Sequence, residues 1–190
     1  MTTDLEGTAL VRAVIELVRA KGFREGLRSM TGPNAPVPVP HDVLERARLD
    51  GDLSLTPSMK EWLAFDGALL GWFTSSGELK TGKKVGRLVD AHMDAHGMFA
   101  PLERTHLTRL AYALPFGDPE YFHFLYPSQP DAAGELPILS AELENQQVVI
   151  TYPGLDAFLG HRAGLLESAW RKRFAARLKE HAQHTLGGNH

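Results

Sequence analysis

The order in which hydrophobic patterns follow one another constrains this chain most. Helical periodicities come first, a run of short strand patterns follows between Leu107 and Tyr152, and helical periodicity then returns. Within the run, Leu110, Tyr112 and Leu114 alternate with Ala111 and Ala113. Residues 121–126 alternate their aromatic rings, with Phe122, Phe124 and Tyr126 on one side. Such alternation is the period of a strand with one face buried. Residues 136–139 and 147–152 are two more strand patterns. Gly117, Asp118 and Pro119 supply turn chemistry between the first two strands, and connections this short favour antiparallel pairing. Strands grouped together and bracketed by helices predict an α+β fold: a single domain with an antiparallel sheet flanked by helices, plus an N-terminal helix.

The helices read as follows. In residues 8–23, Leu10, Val11, Val14, Ile15, Leu17 and Val18 fall on one stripe, with Arg12, Glu16 and Arg19 opposite. Residues 31–40 hold four prolines and predict an extended connector. A helix over 40–49 and another over 56–70 follow; Thr56, Pro57 and Glu61 supply the cap, first-turn proline and early acid of the second. Met59, Trp62, Leu63 and Leu70 fall on its core side. Residues 75–77 read as a turn, 80–84 as a basic loop and 85–96 as a helix closed by Gly97. A short helix at 153–159 and a long Arg- and Lys-rich one at 164–184 complete the chain. The expected division is a helical extension (1–30), a proline-rich connector (31–40) and an α+β domain (41–190).

Composition removes several function classes. Twenty Lys and Arg against 23 Asp and Glu give a net charge of −3, too weak a positive field to hold nucleic acid, so no nucleic-acid partner is expected. With no cysteine, thiolate zinc sites, iron–sulfur clusters, disulfides and a cysteine nucleophile are excluded. Residues 1–7 lack the basic and apolar regions of a secretory signal, which predicts a cytoplasmic protein. The best apolar run, 63–73, is broken by Asp66 and Gly67, so no membrane partner is expected either.

No familiar catalytic string survives inspection. His92 and His96 are spaced i, i+4 with Asp90 and Asp94 nearby, but Met93 stands where a zincin has its glutamate, and a solvated helix face is the simpler reading. His181 and His184 sit near an end prone to fraying, and His123 lies in a strand among aromatics. There is no G-x-S-x-G elbow. The stretch Thr81-Gly82-Lys83-Lys84 lacks the first glycine of a phosphate loop and the Ser or Thr that follows its lysine. The aromatics Trp62, Trp72, Phe73, Phe122, Phe124 and Tyr126 read as core. No catalytic residue, metal site or cofactor is therefore assigned.

Charge is uneven along the chain. Residues 101–160 carry two basic side chains, Arg104 and Arg109, against eight acidic ones, whereas 161–190 carry six basic and two acidic. Two outcomes are open: acidic sheet and basic helix neutralise one another within the fold, or the sheet presents an anionic face to a cationic partner.

Two stretches carry a family resemblance. Residues 53–73 (LSLTPSMKEWLAFDGALLGWF) resemble a signature in which a proline-started helix leads through Trp and Leu into a glycine-containing turn, here Asp66-Gly67-Ala68. Residues 124–164 resemble a closing unit in which a proline-bearing strand and a polar loop precede another strand and a short helix, here Gly154-Leu155-Asp156-Ala157-Phe158-Leu159. Together they are similar to the SUKH superfamily, which includes bacterial immunity proteins of polymorphic toxin systems and fungal cell-wall assembly regulators. The resemblance implies an α+β domain without catalytic residues that captures a protein. The expected function is binding and neutralisation of a cognate protein toxin by occluding its active site; a basic nuclease would suit the charge. The alternative is a non-catalytic regulatory or scaffold module of the same fold. Asp118, Glu120, Asp131, Glu135, Glu142 and Glu144 are the expected partner-binding residues.

Overall fold

The computed structural model describes residues 3–21, 36–74, 76–79, 112–114, 121–142 and 148–186. The helix expected over 85–96, with His92 and His96, lies outside them.

Helix α1 (Gly7–Lys21) buries the predicted stripe: Leu10, Val11, Val14, Ile15 and Val18 enter the hydrophobic core. Read from the sequence as part of an extension, this helix is an integral wall of the core, packed on the helices Pro57–Phe65 and Leu155–Arg162. Helix α2 (His41–Arg46) starts at Pro40, whose carbonyl accepts from Val43 and Leu44 N–H. It ends sooner than expected. Ala47 is extended, and Arg48–Leu49 (β1) pairs antiparallel with Leu53–Ser54 (β2) around Asp50–Asp52.

Helix α3 (Pro57–Phe65) begins as its sequence predicts: the Thr56 hydroxyl accepts from Met59 N–H at 3.3 Å, and Pro57 occupies the first turn. The helix expected to reach residue 70 breaks at Asp66, which is extended, and resumes as α4 (Gly67–Leu70). The break has a visible cause in the end of the proline-rich segment, which crosses here. Gly67 N–H donates to Val37 O at 2.7 Å, Val37 N–H donates to Asp66 Oδ1 at 3.2 Å, and Val39 N–H donates to Leu63 O at 2.9 Å. A Cβ on Gly67 would stand 2.4 Å from Val39 Cγ2, so a larger residue has no room.

The main sheet runs β3 (Tyr112–Ala113), β4 (Tyr121–Leu125), β5 (Ile138–Glu142) and β6 (Val148–Tyr152), antiparallel throughout. The register shifts by one residue between Ile138 and Leu139, and Thr151 is the extra residue of the bulge. Alternation buries both faces. Leu125, Ile138 and Tyr152 join the main core, while Phe124, Leu139, Ala141 and Ile150 are buried on the other side. Helix α5 (Leu155–Arg162) is buried from Leu155 to Gly160 and forms the centre of the helical layer. The long terminal helix is instead two, α6 (Trp170–Arg173) and α7 (Ala175–His181), separated at Phe174 and followed by a π turn over Ala182–Leu186. The architecture is an α+β domain with helices against an antiparallel sheet. Among the described residues no helix is long and apolar enough to cross a membrane.

Candidate functional site

The six acidic residues expected to meet a partner separate into two groups. Asp131 and Glu135 are a correction: they are 5% and 1% exposed and bond within the fold. Asp131 Oδ1 accepts from the backbone N–H groups of Ala133 and Glu135, closing the loop between β4 and β5 on itself. Its Oδ2 accepts from Arg177 Nε at 2.7 Å and lies 3.4 Å from His181 Nε2. Arg177 reaches Asp156 with its other nitrogens, at 2.9 and 3.3 Å, and Asp156 Oδ2 also accepts from Gly7 N–H at 2.8 Å. Glu135 Oε1 accepts from Ser58 N–H at 3.0 Å, early in α3. One guanidinium and three carboxylates thus join α1, α3, the β4–β5 loop, α5 and α7.

Their electrostatics follow from that burial. For Asp131, burial opposes ionisation, but donors from His181, Arg177 and the Glu135 backbone outweigh it and hold the carboxyl down at about 2. Burial, reinforced by the nearby charge of Asp156, pushes Glu135 up to about 7 despite donors from Ser58 and Thr56. Burial also works against the Arg177 cation, yet Asp156 and Asp131 hold it protonated and raise its pKa. Space is tight. A Cβ on Gly154 would stand 2.7 Å from Asp156 Oδ1, 2.8 Å from Glu135 Cβ and 2.9 Å from Arg177 Nη2. His181, expected near a frayed end, is fully buried and donates from Nε2 to Pro153 O at 2.8 Å.

Of the other four acids, Glu142 closes β5, and Asp118, Glu120 and Glu144 lie outside the described residues. The strand ends that flank them coincide: Tyr121 pairs with Glu142 and Ala141 with Val148. The sequence segments carrying these acids therefore depart from and return to one end of the sheet.

A second polar group runs across the sheet. His123 Nδ1 and the Thr151 hydroxyl each lie 2.5 Å from Ser140 Oγ, and Arg162 Nη2 lies 3.0 Å from His123 Nε2. Guanidinium nitrogens only donate, so Nε2 accepts and Nδ1 carries the ring proton, which it donates to Ser140. A general base for Ser140 would need the opposite tautomer. Among the described residues no group of three or more His, Asp or Glu side chains is placed to hold a metal ion.

No family model matches the chain, and no curated protein matches it in sequence. A solved structure described as an uncharacterized protein from Salmonella enterica subsp. enterica serovar typhimurium str. 14028s is similar, with a TM-score of 0.61 at 17% identity over 95% of this chain and 90% of that one. Likeness at that identity establishes that the two share a fold.

Proposed function

We propose that this protein works by covering a partner, as a bacterial immunity protein that binds a cognate protein toxin and occludes its active site. The observation that carries this reading is the convergence at the Tyr121–Glu142 end of the sheet, where the strands flanking Asp118, Glu120, Glu142 and Glu144 begin and end. A basic enzyme surface is the complement of such a set. Further support comes from the interior, where Arg177 pairs with Asp131 and Asp156, and from His123, whose tautomer does not serve Ser140 as a base.

Co-expression with the product of the neighbouring gene tests the reading. Rescue from a lethal neighbour, with a stoichiometric complex on purification, is the expected result. A harmless neighbour that still binds would favour the regulatory or scaffold module. In the complex, reversing Asp118, Glu120, Glu142 and Glu144 to Lys should slow association and flatten its dependence on ionic strength, and an unchanged on-rate would remove the electrostatic part. Turnover of a small molecule by the isolated protein, abolished by one substitution, would overturn the proposal altogether.

A further inference from the structure

A concave cavity of about 470 Å³ opens between β6, the end of α5 and the start of α6. That volume lies within the range of small-molecule sites. Its lining is cationic and aromatic: Arg162, Arg171, His161 and His123 share it with Tyr152 and the aliphatic Val149 and Ile150, and no carboxylate lines it among the described residues.

Arg171 is the key group. Its Nη1 donates to Thr151 O at 2.8 Å, at the bulge of the edge strand, and its guanidinium lies 5.4 Å from the Trp170 ring centroid. These two contacts orient the side chain, and among the described residues no acceptor meets its other guanidinium N–H groups. The Trp170 ring stacks in turn on Tyr152, with centroids 4.9 Å apart and planes at 6°. The Tyr152 hydroxyl shares a 2.9 Å hydrogen bond with His161 Nδ1. Partial burial, and then the charge of Arg162, hold His161 below its ordinary value, so that at neutral pH it is a polar neutral neighbour to the arginines. A pre-positioned guanidinium beside aromatic and aliphatic walls matches an oxyanion carried on a flat apolar body.

We infer that this cavity binds a small molecule bearing a phosphate or carboxylate on an aromatic or apolar body, with Arg171 holding the anion.

Calorimetry and amide NMR of the full chain, using phenyl phosphate, benzoate and phenol as probes, would test this. Saturable one-to-one binding of phenyl phosphate or benzoate is expected, with shifts at Val149–Tyr152 and His161; the stronger of the two identifies the anion. Phenol should bind roughly tenfold or more weaker, and Arg171→Gln should cost the anion a similar factor while Arg12→Gln, on a distant exposed face, costs nothing. Val149→Asp, at a position 44% exposed on the rim, should weaken the anion by adding a like charge. The inference is overturned if neither anion saturates below about 10 mM. Unchanged affinity in both Arg171→Gln and Val149→Asp, or shifts confined to other residues, would overturn it equally.

Discussion

Arg177 and Arg171 belong to the same basic stretch of sequence, yet they have opposite fates. Arg177, on α7, is 13% exposed and locked between two carboxylates that are themselves fully buried. Arg171, on α6, is exposed and, among the described residues, takes a backbone carbonyl and an aromatic ring. Part of the uneven charge of the chain is therefore neutralised inside the fold, where Arg177 pairs with Asp131 and Asp156, while Arg171 stays at the surface. Local composition does not separate the two. What separates them is where each side chain reaches: Arg171 meets the Thr151 carbonyl of the edge strand, and Arg177, beyond the break at Phe174, meets the loop that carries Asp131.

The largest test of this contrast is Arg177→Met. Removing the guanidinium leaves Asp131 and Asp156 buried without their main partner, and a loss of about 3–5 kcal/mol in urea unfolding is expected. A loss under about 1 kcal/mol would mean the network is not what joins these elements. Next comes pH. The Glu135 carboxyl binds its proton more tightly folded than unfolded, so the stability it confers is complete below about 4.5 and is lost as pH rises through about 7. Asp131 behaves oppositely, with stability present above about 3.8 and lost as pH falls toward 2. Unfolding free energy should thus decline between pH 5 and 7.5 by at most about 3 kcal/mol, and Glu135→Gln should flatten that slope; an identical slope in the variant would refute the assignment.

Smaller again, Gly154→Ala inserts a methyl among Asp156, Glu135 and Arg177 and should cost about 1–3 kcal/mol by steric crowding alone, since the extended backbone there suits any residue. Smallest of all is Arg171→Gln, which should change stability by no more than about 0.5 kcal/mol. A large loss there would make Arg171 a structural residue like Arg177 and erase the contrast.

Much of the fold was legible because its signals are local. The stripe of α1, the Thr56–Pro57 start of α3, the alternation in β4 and the strand pattern of β6 are each readable within a dozen residues, and each element formed where its pattern lies. The β1–β2 hairpin carried a signal too, Asp50–Gly51 between leucines, but helical reading through residue 49 absorbed it. The break at Asp66 was not legible, because it depends on Val37 and Val39 arriving from another part of the chain. The same holds for the site. Asp131 and Glu135 look like surface acids until Arg177 and the start of α3 reach them across 46 and 77 residues of sequence. Arg171 and His161 meet only because α5 and α6 both pack against β6, and no spacing in the sequence announces that.

Arg173, also on α6, donates to the carbonyls of Thr3, Asp4 and Leu5 and pairs with Glu6, while α1 rests on α5. During synthesis α1 emerges from the ribosome long before either partner exists. Its apolar stripe can meet α3 early, but its cover by α5 and the clasp of Arg173 on residues 3–6 must wait until residue 173 has cleared the exit tunnel, so this protein's final latch can close only after translation has passed that point.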